Sequence, residues 1–251
     1  PALVNLDADP ELELVLVRNG PPELGVDPAG LVALNQDGTL VWDVTPDGSS
    51  ESVSFPLSAS FNYYDGQTPT VTDLDGDGSP EILMTLHYGT AGASQFFSAI
   101  VAYNADGSIR WEYQGVPQGG DADGKGVYIA DLDLDGTVEI LHHTNVLDHN
   151  GQLEFLLPAE LDILGVASSQ LTLAIANFDN DPFPEILARD IGNHYVFEHD
   201  GALKWSSPVP NSARAEITVA ELDGDPQPEF VYHTGQGTGN NASWLTAYDT
   251  D

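Results

Sequence analysis

The chain has 251 residues, of which 41% are apolar, and its forty acidic and six basic residues give a formal net charge of −34. This balance argues against binding to a nucleic-acid backbone, because phosphate contacts need clustered lysine and arginine. No apolar run approaches the ~20 residues of a membrane span. The lack of cysteine excludes disulfides and thiolate metal sites.

A fourteen-residue pattern occurs five times along the chain and predicts two apolar strands joined by an acidic loop. The second copy, TVTDLDGDGSPEIL, shows the arrangement of a short apolar run, alternating acidic residues and a second apolar run. The five copies begin at Ala2, Thr70, Tyr128, Ala174 and Thr218.

A second pattern follows each acidic loop and predicts a β-hairpin. A β-rich run leads to a turn that ends in glycine, and the next run carries an aromatic residue four positions after that glycine. Asp-Gly or Asn-Gly between such runs favours a turn with positive φ. We expect the aromatic residues to pack between neighbouring units or at the outer strand. The pairs are Gly38 and Trp42, Gly107 and Trp111, Gly151 and Phe155, and Gly201 and Trp205.

The two patterns together predict an all-β fold of repeated units, each with about four strands, and almost no helix. Four-stranded antiparallel units of this size are the blades of β-propellers. We expect one propeller domain, or a fragment of one within a longer chain, with about five blades visible and the last incomplete. The expected units are 1–66, 67–125, 126–170, 171–212 and 213–251.

The spacing of oxygen donors within the acidic loop predicts a metal site. Side chains at loop positions 1, 3 and 5 can converge on one ion, position 7 offers a backbone carbonyl, and an acid at position 9 can close the cage with two oxygens. Such a shell suits a hard cation, and calcium tolerates its irregular geometry better than magnesium does. We therefore expect up to five Ca²⁺ ions. The candidate ligands are Asn5, Asp7, Asp9 and Glu13; Asp73, Asp75, Asp77, Ser79 and Glu81; Asp131, Asp133, Asp135, Thr137 and Glu139; Asn177, Asp179, Asp181, Phe183 and Glu185; and Glu221, Asp223, Asp225, Gln227 and Glu229.

Other interpretations of these loops were weighed. An EF-hand needs flanking helices and a glutamate at position 12, and no copy has one there. An aspartate-rich turn that hydrogen-bonds its own backbone explains a single copy better than five. The acidity of the whole chain also fits a salt-adapted surface, with calcium binding in addition. The residues at position 12 are Leu16, Met84, His142, Ala188 and Tyr232.

Position 6 divides the loops into two kinds. Gly78 and Gly136 occupy it in the second and third loops, whereas Pro10, Pro182 and Pro226 occupy it in the others. Because proline holds φ near −65°, the two kinds of loop are expected to differ in backbone conformation.

The nine-residue loop between two strands resembles the calcium loops of integrin-α propellers and of the related FG-GAP and VCBS repeats. The resemblance covers essentially the whole chain, although the Phe-Gly and Gly-Ala-Pro sequences that name the FG-GAP family are not present. It implies a ring that usually has seven blades, an extracellular or cell-surface location, and loops on the face opposite the calcium sites that meet ligands.

The resemblance also implies which residues the ligand face displays. Three of its histidines fall at similar places in their units, so they could hold a transition metal or act as a general base. Histidines at such places are more often ordinary polar loop residues that share no site. Phe96 and Phe97 with Tyr88 could stack on a sugar or form a buried core. Asn241 begins a glycosylation sequon. The face would carry Arg18, His87, Tyr88, His143, Asn145, Asp190, His194 and His233.

The function expected from these features is a non-catalytic one: a calcium-stabilised propeller for adhesion, surface display or binding of a protein or glycan. The alternatives are a lectin and a polysaccharide lyase, because one family of rhamnogalacturonan lyases has similar aspartate loops followed by an Asp-Gly and tryptophan element. A lyase must bind an anionic polymer, and six basic residues cannot form a continuous basic groove. Quinoprotein dehydrogenases share the tryptophan element without the acidic loops.

Overall fold

The computed structural model describes residues 1–7, 9–18, 30–44, 69–89, 95–119, 126–157, 171–189, 193–208, 217–235 and 243–249. In these ranges the chain forms nineteen β-strands and no helix, so the predicted all-β fold is confirmed. Among the described residues there is accordingly no helix with the length and apolar character of a membrane span.

The strands follow the two patterns found in the sequence. They are β1 (Ala2–Val4), β2 (Glu13–Arg18), β3 (Gly30–Leu34), β4 (Leu40–Val44), β5 (Thr70–Thr72), β6 (Glu81–Gly89), β7 (Gln95–Tyr103), β8 (Ile109–Gly119), β9 (Tyr128–Ala130), β10 (Glu139–His142), β11 (Asn145–Leu147), β12 (Leu153–Leu156), β13 (Thr172–Ala176), β14 (Glu185–Arg189), β15 (Asn193–Phe197), β16 (Leu203–Pro208), β17 (Ile217–Ala220), β18 (Glu229–Gly235) and β19 (Ser243–Tyr248).

These strands form five antiparallel sheets in which each strand pairs with its neighbours in sequence. Four sheets have four strands each, β1–β4, β5–β8, β9–β12 and β13–β16, and one has the three strands β17–β19. The chain groups into two compact units, one of residues 1–127 with 148–152 and one of residues 128–147 with 153–251. The predicted boundaries between repeats fall largely outside the described residues.

Burial changes across each sheet. The inner strands β10 and β14 are buried along their whole length, whereas the fourth strands β4 and β12 are mostly exposed. A strand buried on both faces needs an apolar run rather than an alternating pattern, which the runs after each acidic loop provide. In the first unit, the core includes Val15, Leu31, Ile82, Ala99 and Val101. In the second, it includes Leu141, Val146, Leu173, Ile186 and Phe197.

The predicted hairpins are present, and each requires its glycine. In the first, the N–H of Gly38 donates to the carbonyl of Asn35 at 2.9 Å, and Gly38 has a φ of +83°. The same bond recurs at Gly107, Gly151 and Gly201, where φ lies between +74° and +85°. A β-bulge follows in every case, since the register of the fourth strand shifts by one residue.

In the first three hairpins, the aromatic residue packs on the glycine turn that comes next along the chain. Trp42 Nε1 donates to the carbonyl of Ala105 at 3.0 Å, and Trp111 Nε1 donates to the carbonyl of His149 at 2.9 Å. Gly151 has no room for a side chain, because a Cβ there would lie 2.5 Å from Trp111 Cδ2. These tryptophans therefore link successive repeats, as one of the two expectations proposed. Phe155 packs on Gly201, where an added Cβ would lie 2.7 Å from Phe155 Cδ2.

Two glycine variants distinguish the free-energy cost of a clash with the packed aromatic ring from the cost of an unfavourable φ. Gly38 has the same positive φ, but a Cβ there would have no atom within 4 Å. Gly38→Ala should therefore lose only the ~1 kcal/mol of an unfavourable φ. Gly151→Ala should lose about 2 kcal/mol more, because the methyl group collides with the indole. In thermal denaturation, the melting temperature should fall roughly 4–8 °C further for Gly151→Ala. Equal losses in the two variants would contradict the packing role of Trp111.

Candidate metal centres

Each acidic loop connects the first and second strands of its sheet, and its position-9 glutamate is the first residue of the second strand. All five of these glutamates are buried, with 1% to 5% of their surface exposed. An ionised carboxylate that leaves water costs several kcal/mol unless hydrogen bonds or a cation compensate it. The five are Glu13, Glu81, Glu139, Glu185 and Glu229.

The position-9 glutamate closes the loop through the backbone. In every copy, its Oε2 accepts the N–H of the residue at position 2, at distances from 2.6 to 2.9 Å. The position-2 side chains Leu74, Leu132 and Phe178 are buried in the core, so this bond ties the loop to the sheet. Sequence analysis missed this role. An invariant pairing of an apolar residue with a glutamate seven positions later was its signal.

Position 1 explains the division between glycine and proline loops. In the second loop, Asp73 accepts the N–H of Asp77 at 3.1 Å and that of Gly78 at 2.9 Å. Asp131 does the same with Asp135 and Gly136 in the third loop. These position-6 glycines have φ values of +89° and +94°, which proline cannot adopt, so the two kinds of loop differ in backbone conformation as expected.

The first and fourth loops, which have proline at position 6, are built differently. Proline has no N–H to donate to a position-1 carboxylate, and an asparagine replaces the aspartate. Its Nδ2 donates instead to the carbonyl of position 5, at 2.5 Å from Asn5 to Asp9 and from Asn177 to Asp181. The change of residue at position 1 therefore accompanies the loss of a donor at position 6.

Position 5 makes the same turn in all five loops. Its aspartate Oδ1 accepts the N–H of position 7, at distances of 2.7 or 2.8 Å. The backbone-bonded aspartate turn weighed as an alternative is thus present in each loop. It does not use all the oxygen lone pairs of the loop, because each carboxylate has about four acceptor sites. The residues concerned are Asp9, Asp77, Asp135, Asp181 and Asp225.

Four loops bring carboxylates close enough to hold a metal ion. In each group, one oxygen from every residue lies within 4.8 Å of the others. The first loop's Asp7, Asp9 and Glu13 do not form such a group within the described residues, and Asp77 and Asp135 are not part of theirs. The groups are Asp73, Asp75 and Glu81; Asp131, Asp133 and Glu139; Asp179, Asp181, Glu185 and Glu198; and Glu221, Asp223, Asp225 and Glu229.

Glu198 is a member of the fourth group that sequence analysis did not propose. It lies in the turn between β15 and β16, where its N–H donates to the carbonyl of Ala202 at 2.8 Å. The corresponding residue in the first hairpin is Asn35, which cannot carry charge. An acidic residue three positions before the turn glycine was the available signal.

Two basic residues reach into the loops. Arg110 pairs with Asp75 and Glu81, and Lys204 pairs with Asp179, Glu185 and Glu198. The hydrogen bond from Arg110 holds the pKa of Asp75 below its usual range, and that from Lys204 does the same for Asp179.

The third loop has a different electrostatic environment. Burial raises the pKa of Glu139 to about 7, the hydrogen bond from Leu132 opposes this shift, and the acidic Asp133, Glu154 and Asp131 add to it. No ion pair to Glu139 is formed by the described residues. A bound cation fits this site, because the charged side chains that act on Glu139, Asp131, Asp133 and Glu154, are all carboxylates.

The histidines expected on a ligand face do not join these groups in the described part of the chain. His143 follows β10 with a φ of +55°, and its ring lies edge-on to that of His142. His194 is fully buried against the rings of Phe230, Tyr232 and Tyr248 in the second unit. Asn145 is buried at the start of β11.

The remaining residues of the expected ligand face are only partly described. Arg18, His87, Tyr88, Phe96, Phe97 and His233 lie in strands β2, β6, β7 and β18, and the structure describes their backbone alone. Asp190 and Asn241 lie outside the described residues. The expectations for a sugar-stacking surface and a glycosylated asparagine therefore stay predictions.

Comparison with known proteins supports the fold. A rhamnogalacturonan lyase of Bacillus licheniformis is 16% identical with a TM-score of 0.59, over 95% of this chain and 45% of the lyase. Rhamnogalacturonan lyase YesW is 17% identical with a TM-score of 0.59, over 96% of this chain and 46% of that one. The V. cholerae biofilm matrix protein Bap1 is 21% identical with a TM-score of 0.53, over 95% of this chain and 37% of Bap1.

The chain thus spans less than half the length of these solved structures. No curated protein sequence matches it. The family profile of the FG-GAP-like repeat matches residues 73–142, which run from the second acidic loop to the end of β10 and include the third loop. Residues 73–142 are therefore an FG-GAP-like repeat, and the repeated four-stranded antiparallel sheets fit an FG-GAP β-propeller.

Proposed function

We propose that this chain is a calcium-stabilised β-propeller module that works outside the cell in adhesion, surface display or ligand binding. The observation that carries the proposal is the set of five buried glutamates at one loop position, four of them within carboxylate groups. Buried carboxylates that face one another repel and lose hydration, so the folded state favours a cation at each group.

Calcium fits the donors better than other common ions do. The groups offer oxygen only, which disfavours zinc and copper sites built from histidine or cysteine. In the third loop, Asp131, Asp133, Asp135 and Glu139 would supply carboxylate oxygens and Thr137 its carbonyl. The corresponding residues of the other loops would do the same, and the bound ion would supply the positive charge that the loop lacks.

An extracellular location follows from the same chemistry. Calcium sites of extracellular modules work at 10⁻⁴–10⁻³ M, roughly the free calcium concentration they meet. A chain without cysteine cannot use disulfides to stabilise a secreted fold, and bound calcium would take that role. The partner would be a protein or glycan that meets the propeller face away from the calcium loops. A glycan array is the measurement that separates a lectin from a protein-binding module.

A polysaccharide lyase is the competing function. The fold resembles two rhamnogalacturonan lyases at 16% and 17% identity, which is a likeness of architecture. Binding of an anionic polymer would need free basic groups or bridging calcium ions. Two of the six basic residues, Arg110 and Lys204, are already ion-paired within acidic loops.

Removal of calcium should lower stability strongly. An ion present at 100 times its dissociation constant stabilises the folded state by about 2.7 kcal/mol per site. With ~2–4 °C per kcal/mol for a chain of this size, one such site should raise the melting temperature by at least ~5 °C. The comparison is calorimetry in calcium chloride, in EDTA, and in magnesium chloride of equal ionic strength. The same melting temperature in all three buffers would refute the proposal.

Glu139→Gln should have opposite effects with and without calcium. Because the folded-state pKa of Glu139 is raised to about 7, the unfolded chain ionises first, and stability in EDTA is lost between about pH 4.5 and 7. Glutamine can still accept the N–H of Leu132 and stays neutral. The variant should therefore melt several degrees higher than wild type in EDTA at pH 8, with a smaller difference at pH 5.

In saturating calcium at pH 8 the order should reverse, because the variant lacks a charged ligand. Glu51→Gln, outside the loops, controls for a general change of net charge. A Glu139→Gln protein that is less stable than wild type in EDTA at pH 8 would show that the buried charge is compensated without metal.

Incubation of the protein with rhamnogalacturonan should produce no unsaturated chain ends, either with or without calcium. The measurement is the ultraviolet absorbance of those chain ends. The reason is that six basic residues are too few to form a continuous basic groove for an anionic polymer. Steady release of unsaturated product, lost after heat denaturation, would assign the chain to the lyases instead.

A further inference from the structure

The bulge in the fourth strand of each sheet carries a residue that varies in charge from sheet to sheet. In the register of β7 with β8, Ala102 pairs with Trp111 and Tyr103 pairs with Ile109, so Arg110 is the extra residue. The same shift leaves Val41 extra in β4, Glu154 in β12 and Lys204 in β16. We call these four the bulge residues. A bulge residue is released from the ladder, and its side chain is re-aimed.

Both basic bulge residues contact the acidic loop of their own sheet at equivalent atoms. Arg110 Nη1 lies 3.0 Å from Glu81 Oε1, and its Nη2 pairs with Asp75. Lys204 Nζ lies 3.3 Å from Glu185 Oε1 and also pairs with Asp179. In each loop the cation therefore meets positions 3 and 9. The other oxygen of each glutamate, Oε2, is the one that accepts the backbone N–H.

These contacts differ from ordinary surface ion pairs. The side chains of Glu81 and Glu185 are only 3% and 1% exposed, and those of Arg110 and Lys204 are 21% and 24% exposed. An ion pair with one fully buried partner is costly to break, because the remaining charge stays desolvated. Arg110 and Lys204 thus occupy the oxygens that a divalent ion in these two loops would use.

The other two bulge residues carry no positive charge. Glu154 places a negative charge at this position of the third sheet, whose second strand begins at Glu139. Val41 is neutral and 39% exposed. One structural position therefore carries a cation in two repeats, an anion in the third and an apolar side chain in the first.

We propose that each of the four bulge residues sets the calcium affinity of the acidic loop in its own sheet. Arg110 and Lys204 are built-in cations that compete with calcium in the second and fourth loops, whereas Glu154 makes the third loop dependent on an external ion. The inference rests on the proposed calcium binding and deepens it: the loops are not equivalent sites. Without calcium, the second and fourth loops are held by the chain itself, whereas the third depends on bound calcium.

The test uses charge changes at the bulge positions and calcium chloride as the probe. Arg110→Gln and Lys204→Gln, alone and combined, remove the competing cations. Glu154→Arg introduces one beside the third loop, and Glu154→Gln is its matched neutral control. For each protein, the number and affinity of bound calcium ions are measured by isothermal titration calorimetry, and the melting temperature is measured in EDTA.

The double variant should melt lower than wild type in EDTA and should bind calcium at least tenfold more tightly at two loops, with calcium restoring the lost stability. Glu154→Arg should weaken one of the calcium sites of the wild type at least tenfold and melt higher in EDTA, with Glu154→Gln between it and wild type. Glu154→Arg keeps the test decisive if the double variant does not fold.

Two results would overturn the inference. If wild type binds calcium but its affinities do not change in either the double variant or Glu154→Arg, the basic residues are structural ion pairs alone, and the proposed function stands. If no protein of the set, wild type included, binds calcium at millimolar concentration, both the inference and the calcium-dependent function are wrong.

Discussion

The constraint on which the rest of the structure depends is the burial of five glutamates, one where the chain turns from the first to the second strand of each sheet. Burying each carboxylate costs free energy. Each one holds its loop against the core through a bond from Oε2 to the backbone, which requires the carboxylate to be inside. A net charge of −34 makes this cost larger, because the surrounding chain repels every further negative charge. Arg110 and Lys204 supply a cation to two of these glutamates, and we propose that bound calcium does so in the third loop.

Two structural features recur along with the acidic loops: an aromatic residue packed on a glycine turn, and a bulge in the fourth strand. The glycine turn receives the aromatic residue of the preceding repeat, as Gly151 receives Trp111, and the bulge after the turn presents a side chain to the acidic loop. The first contact links successive repeats, and the second places a positive charge in the second and fourth loops. A repeat protein gains its stability from such nearest-neighbour contacts, so changes at a single bulge act on one loop without altering the architecture.

Much of the fold was predictable, because glycine turns and nine-residue loops are local in sequence. The hairpin at Gly107 and the start of β6 at Glu81 are both determined by residues only a few positions away in sequence. The pairing of Arg110 with Glu81 was not predictable, because it joins residues 29 positions apart in sequence. It also depends on a register shift between β7 and β8 that the residue types do not indicate. Glu198 was missed for the same reason, because a hairpin turn had to fold against a loop from another part of the sheet.

The most direct test is a crystal structure of the protein grown in calcium chloride, with anomalous diffraction to locate the ions. The account predicts an anomalous peak among Asp131, Asp133 and Glu139, with weaker peaks or none where Arg110 and Lys204 contact the second and fourth loops. Crystals in saturating calcium with no peak at the third loop, and with Glu139 still buried there, would contradict the claim that a bound cation compensates this carboxylate.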